Sequence, residues 1–308
     1  MKKLAGLALV LLVAACGGGA TKSLQSGEKL VVMASTYHLA SLAMAVCGDD
    51  ADVQLLPAEG SDPHSFEATA ADRSRLEKAH VLLVNGLNLE TFEAAKLANS
   101  ARATLVDCST GIDRKFLIAA EEEEERGHDH GHDHDHGHAA HDPHVWLATE
   151  GAATQAKSIA EACAKLDSAH ADAYRKRADE LAARLKKLRE EYAGKIDALI
   201  NKSFVTDHDA FGYFAREFKL KNVGHIRKLP GKEPTVEERS ALEKLIKETG
   251  AKAIFIEPGH DKAAAEAVAK SVGVKLAMLD PMEVGKPTRT SYEEGMRKNL
   301  DAVLEALK

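Results

Sequence analysis

The chain has 308 residues, with 41 Lys and Arg against 48 Asp and Glu for a formal charge of −7, and is 44% hydrophobic and 29% charged. That length suffices for two globular lobes, while the charge density excludes an integral membrane protein and the apolar content excludes a disordered or fibrous one. The acid excess argues against a nucleic-acid backbone as partner, and 15 His point toward metals instead.

In chain order, Lys2 and Lys3 precede an apolar run from Leu4 to Ala15, which ends in Val13-Ala14-Ala15-Cys16 and three glycines. The run is too short for a transmembrane helix, and small residues before a cysteine are what a lipoprotein signal peptidase accepts. Residues 1–15 therefore read as a signal peptide, Cys16 as the lipidated start of the mature chain, and 16–28 as a tether. Export places Cys47, Cys108 and Cys163 in an oxidising compartment, where one disulfide can form and leave one thiol free; the sequence does not choose the pair.

From residue 29 short apolar runs alternate with helical patterns. Leu30–Ala34, Val53–Leu56, Val81–Val84 and Thr104–Val106 read as buried parallel strands, separated by amphipathic stretches such as Phe66–Ala79 and Leu89–Ala98. A second set follows at Phe204–Thr206, Val223–Ile226, Ala253–Ile256 and Lys275–Met278. Thr235 with Glu238 forms a capping box for a helix that Gly250 ends. Between the sets, Tyr174, Leu181, Leu185, Leu188 and Tyr192 mark one face of a charged, proline-free stretch. Residues 168–200 as a single helix would span about 50 Å, enough to bridge two lobes. The expected fold is α/β: lobes over 29–167 and 201–308, each with a mostly parallel four-stranded sheet, joined by one long rigid helix.

Eight of the 15 His fall between His128 and His144. His128, His130, His132, His134, His136 and His138 occupy every second position, His141 follows, and Glu121–Glu125 precede them. Segment 121–141 reads as a disordered, low-affinity metal-binding loop. Residues 121–144 hold nine acids and one Arg, so the acidity of the chain is concentrated there and the lobes are nearly neutral.

A sharper signal is a pentapeptide pattern repeated 80 residues apart, Asp62-Pro63-His64-Ser65-Phe66 and Asp142-Pro143-His144-Val145-Trp146. Proline fixes φ and drives the preceding Asp out of the helical region, so each His is presented from a stiff turn. His208 lies just past the strand ending at Thr206, and Asp280 just past Met278. Ligands of open α/β sheets collect beyond the carboxyl ends of strands. His64, His144, His208 and Asp280 can thus converge in an interlobe cleft as three imidazoles and a carboxylate, a set suited to tetrahedral zinc. At the fourth position a water or a nearby loop carboxylate is the alternative to Asp280. His38 and His225 read as polar packing near the cleft, Glu257 as a residue orienting the site, and His80, His170 and His260 as surface residues.

The segments GSDPHSFEAT (60–69), DPHVWL (142–147), TDHDAFGYFAREF (206–218), EPTVEE (233–238), IFIEP (254–258) and LDP (279–281) resemble the motifs of the zinc/manganese substrate-binding lipoproteins of ABC importers, in order along the chain. The resemblance implies two α/β lobes joined by a rigid helix, metal held by His64, His144, His208 and an acidic fourth ligand at Asp280, and handover to a cognate permease with its ATPase. Manganese carriers of the family tend to have a carboxylate where His208 stands, and a long His-rich loop is a feature of zinc importers; both favour Zn2+. A departure is His225-Ile226-Arg227-Lys228-Leu229-Pro230, where many relatives are less basic. The chain is expected to be a monomer on an extracytoplasmic or periplasmic membrane surface, anchored by lipid, binding no nucleic acid and catalysing no reaction. The alternatives are a manganese- or iron-binding member of the same family and an adhesion lipoprotein with structural zinc. A secreted zinc hydrolase is disfavoured, since no HExxH pattern is present and four protein ligands leave no open position.

Overall fold

The structure, a computed structural model, describes residues 21–120, 141–227 and 233–308. The expected signal peptide, Cys16 and His128 to His138 lie outside the described residues. The first lobe comprises β1 (Leu30–Ala34), α1 (Tyr37–Cys47), β2 (Ala51–Leu55), α2 (Ala70–Leu76), β3 (Val81–Val84), α3 (Ala94–Ala101) and β4 (Thr104–Asp107). A 3₁₀ turn at Val145–Leu147 then leads into α4 (Thr149–Leu166) and α5 (Ala171–Asp197). The second lobe holds β5 (Ser203–Thr206), α6 (Gly212–Glu217), β6 (Lys221–His225), α7 (Val236–Thr249), β7 (Ala253–Ile256), α8 (Ala263–Val272), β8 (Lys275–Met278) and α9 (Ser291–Ala306).

Both sheets are parallel, and both follow the same spatial rule: β2-β1-β3-β4 in the first and β6-β5-β7-β8 in the second. The strands are short apolar runs because helices cover both faces of a parallel sheet; every residue of β3 and of β5 is buried. In each lobe the chain reverses its winding direction between the first strand and its third, and a crevice opens at that point beyond the strands' carboxyl ends. The α/β class and the two four-stranded parallel sheets are as the sequence predicts.

Helix boundaries follow local chemistry. The helix expected from Phe66 begins only at Ala70, because Thr69 and Asp72 form a reciprocal capping box there. Phe66 is instead a buried anchor, its ring edge-on to Phe92 at 5.7 Å. The Thr235–Glu238 box opens α7, and Gly250, at φ +65°, closes it in the left-handed conformation that glycine adopts freely.

The long charged stretch forms α5, 27 residues or about 40 Å. Its buried stripe runs Tyr174, Ala178, Leu181, Leu185, Leu188, Tyr192 and Ile196, a three-and-four spacing that puts one apolar face inward. That face packs on α4, α1 and α9. One continuous core therefore joins Leu30 and Val81 of the first sheet, through Leu185, to Phe204 and Leu300 of the second lobe.

The start of α4 lies against the 3₁₀ turn. A Cβ added to Gly151 would stand 2.0 Å from the Val145 carbonyl oxygen, far inside contact distance, so only glycine admits this approach. Gly151→Ala is expected to push the turn away and lower stability by about 1–3 kcal/mol in urea denaturation; an unchanged midpoint would show that the turn and α4 are free to part.

Candidate metal centre

The two Asp-Pro-His segments are alike in structure. The His64 backbone N–H donates to Asp62 Oδ1 at 2.8 Å and that of His144 to Asp142 Oδ1 at 2.9 Å, so each Asp closes a turn on the residue two positions ahead. The motif's aromatic residue anchors each turn, Phe66 in the satellite core and Trp146 in the main one. Asp142 does more than Asp62: its Oδ1 also lies 2.7 Å from His144 Nδ1, which turns Nε2 of that ring toward the cleft. His208 follows β5 at the second lobe's crevice, and its Nδ1 meets Glu257 Oε1 at 2.5 Å; Glu257 follows the neighbouring strand β7. A carboxylate behind an imidazole fixes its tautomer and raises its basicity.

These three rings converge. Their centroids are 5.4 Å (His64–His144), 6.0 Å (His64–His208) and 5.5 Å (His144–His208) apart. The fourth donor is Glu283. Its Oε1 is 3.1 Å from His64 Nε2 and 3.3 Å from His144 Nε2, and ligand atoms of all four residues lie within 4.8 Å of one another. Four ligands at about 2.0–2.1 Å from a tetrahedral centre stand about 3.3 Å from each other, so the group has the dimensions of a zinc site. Nε2 of His144 and of His208 are buried and make no hydrogen bond, which leaves their lone pairs for a cation.

Asp280, expected as the acidic donor, stands outside this group. Its Oδ1 accepts from the Met282 N–H at 2.7 Å and its own N–H donates to Asn299 Oδ1 at 2.8 Å. It thus shapes the turn that delivers Glu283 three residues later. Burial pushes its pKa up, and neither the Met282 N–H nor the Lys298 charge is enough to reverse this. The strand-end rule located the loop, and the turn decided which of its two carboxylates points inward.

The electrostatics follow from packing three imidazoles on one carboxylate. Burial alone would lower the His144 pKa, but Asp142 and Glu283 overcome it and hold the ring up to about 10. For His208 burial likewise opposes protonation, and Glu257 wins, raising its pKa. Glu283 is held well below the usual carboxylate range in spite of burial, because the His144 and His64 rings face it, His64 within hydrogen-bond distance. In the metal-free state the protons favoured on His144 and His208 offset the carboxylate charge, and a cation must displace them.

Further groups brace the centre. His38, fully buried, stacks on Trp146 with centroids 3.8 Å apart and planes at 9°; burial drives its pKa down to about 3, so it packs as a neutral ring. Asn85, after β3, donates to the Pro143 carbonyl at 3.0 Å and accepts from Gln155 at 2.8 Å. The Trp146 indole donates to the Pro281 carbonyl at 2.7 Å, tying the His144 turn to the Glu283 loop.

Behind His208, Asp207, Glu257 and His260 form a second close group of donors. Within it Asp207 already has a cation, since the buried Arg227 guanidinium pairs with it and also donates to Glu233 and the Asp261 carbonyl. The basic departure at His225–Pro230 thus has one structural role, Arg227 clamping the loops behind His208, while residues 228–232 lie outside the described part. His260, partly exposed, meets Asp207 at 2.6 Å, and His170 meets Asp167 at 2.7 Å. His80, expected at the surface, is 3% exposed, and its Nδ1 accepts from the N–H of Val31 in the inner strand β1. His225 ends β6 partly buried, and His141 pairs in an isolated bridge with Ala119; neither is in the donor group.

Two α/β lobes with a group of candidate metal donors between them define a solute-binding protein. The family described as "Zinc-uptake complex component A periplasmic" matches residues 32–306, and the chain belongs to it. It is 34% identical to the high-affinity zinc uptake system protein ZnuA of Bacillus subtilis (strain 168), over 99% of this chain and 98% of that one. Among solved structures, the laminin-binding adhesin Lmb of Streptococcus agalactiae is 29% identical at a TM-score of 0.79, covering 91% of this chain and 100% of that one. A zinc-bound variant of AdcAII from Streptococcus pneumoniae is 27% identical at a TM-score of 0.77, covering 92% and 100%.

Glu283→Gln is expected to weaken zinc binding by more than the about 10–100-fold that outer partners of a metal site cost, whereas Asp280→Asn should stay at or below that range; competition titration against a chelator ranks the two. The pH response follows from His144. Its folded pKa, about 10, exceeds the ordinary value near 6.5. Its contribution to metal-free stability is therefore complete below about pH 6.5 and is lost as pH rises through about 10. Zinc competes with the same proton, so affinity should keep rising above neutrality rather than level off just past pH 6.5. Calorimetry in buffers of different ionisation enthalpy should show about one to two protons released per zinc at neutral pH; zero release would contradict the arrangement.

Proposed function

We propose that this protein captures zinc outside the cytoplasm and delivers it to the permease of an ABC importer. The observation that carries the reading is the convergence of His64, His144, His208 and Glu283 with two imidazole Nε2 atoms buried and unbonded. Three imidazoles and one carboxylate favour zinc, whereas manganese is better served by oxygen donors. The family to which the chain belongs and the zinc-uptake role of its Bacillus relative support the same reading. Four protein donors fill a tetrahedral shell, which suits carriage rather than hydrolysis.

In this reading Cys16 carries the lipid that keeps the chain at the membrane, and His128, His130, His132, His134, His136, His138 and His141 collect zinc weakly. The chain works as a monomer. No described helix is long and apolar enough to cross a membrane.

Trp146 offers the readout: it is the sole tryptophan, and its ring centroid is 5.2 Å from that of His144. Titration of the chain lacking residues 1–16 is expected to show one tight zinc site that survives deletion of 121–140, with weaker sites that vanish with the loop. Manganese displacing zinc from the tight site, or loss of that site with the loop, would refute the assignment. His64→Ala and His208→Ala should abolish tight binding while far-ultraviolet circular dichroism is retained.

A further inference from the structure

Two thiols that the metal centre does not use face each other in the first lobe. Cys47 closes α1, Cys163 lies on α4, and both are fully buried in the main core. Their Sγ atoms are 3.7 Å apart although 116 positions separate them in the chain. Cys108 is also buried but directs its sulfur to the Val106 carbonyl, 3.9 Å away. The structure thus distinguishes among three pairings that the sequence leaves equal.

We propose that Cys47 and Cys163 form a disulfide in the exported protein, leaving Cys108 as the free thiol. Turning the two side chains to bring the sulfurs from 3.7 Å to about 2.0 Å closes the bond. Its formation is a thiol–disulfide exchange, with the disulfide of an extracytoplasmic thiol oxidase, or oxidised glutathione in vitro, as oxidant. One cysteine thiolate attacks that disulfide to give a mixed disulfide and expels one oxidant sulfur as thiol. The second cysteine attacks the mixed disulfide, forming the Cys47–Cys163 bond and releasing the other oxidant sulfur, so two thiols of the chain are oxidised and one disulfide is reduced. In the folded core the Cys163 thiol is pushed up by its hydrogen bond with Cys47 and by burial, so exchange belongs to the stage when α1 and α4 are still docking.

The bond has consequences at the cleft. The helices it joins both begin there: α1 carries His38 against Trp146, and α4 follows the turn that presents His144. A link closing more than a hundred residues constrains the unfolded chain strongly. Oxidation also removes two soft thiol donors that would compete for zinc with the imidazoles before the fold is complete.

The proposal rests on export, and the test separates the two. Protein recovered from its native membrane without reductant is alkylated in denaturant with chelator and mapped by mass spectrometry. The expected result is a linked Cys47–Cys163 peptide pair with Cys108 alkylated. Reductant should lower the Tm by about 5–10 °C, C108S should keep that drop, and C47S/C163S should lose it. Protein reduced in denaturant and refolded in oxidised glutathione should regain the same link. Full alkylation of all three thiols in surface-accessible protein, a link that includes Cys108, or no link in the glutathione arm would overturn the proposal. Shielding of the chain from protease added to whole cells would defeat export alone, with the glutathione arm still deciding the pair.

Discussion

Everything at the cleft depends on keeping one almost buried carboxylate ionised. The Glu283 side chain is 9% exposed, and an isolated charge in that position would cost several kcal/mol. Three imidazoles supply the compensation, and two of these are in turn backed by carboxylates, His144 by Asp142 and His208 by Glu257. The metal-free arrangement is therefore a proton-loaded version of the bound one. A divalent cation enters by exchange for protons, with little change in the charge the surroundings must accommodate.

Holding four donors to a common point requires that the loops bearing them be fixed relative to each other. Asp62 and Asp142 set their turns, Asp280 sets the loop of Glu283, and Arg227 clamps the segments behind His208. The Trp146–Pro281 hydrogen bond crosses from one lobe's turn to the other's loop. Beneath them the core runs without a break through α5. In such a frame hinge bending would disrupt packed apolar surface along the whole stripe of α5.

Much of this was legible before any coordinates. Strand runs bounded by turns gave both sheets, since parallel strands buried on two faces read as unbroken apolar segments. The repeated Asp-Pro-His pattern marks two members of the candidate donor group, because proline and the Asx turn act locally and leave a local signature. His208 was found through its place after a strand. Glu283 was not, because the choice between it and Asp280 is made by a hydrogen bond to the Met282 N–H and another from the Asp280 N–H to Asn299, nineteen positions away. His80 is a similar case: its burial comes from the inner strand β1, where the Val31 N–H donates to its ring across 49 positions of sequence. Nor did the sequence choose among three thiols, whose pairing is set by how α1 docks on α4.

All four donors lie outside helices and strands, in segments just past β2, before α4, past β5 and past β8. The elements that carry the core contribute none of them. Work of holding the fold and work of choosing the ion are thus assigned to different stretches of chain, so a donor can be exchanged at the cost of one loop's contacts. A scaffold divided in this way permits a change of cargo without refolding, and ion preference becomes a property that can drift while the architecture stays fixed.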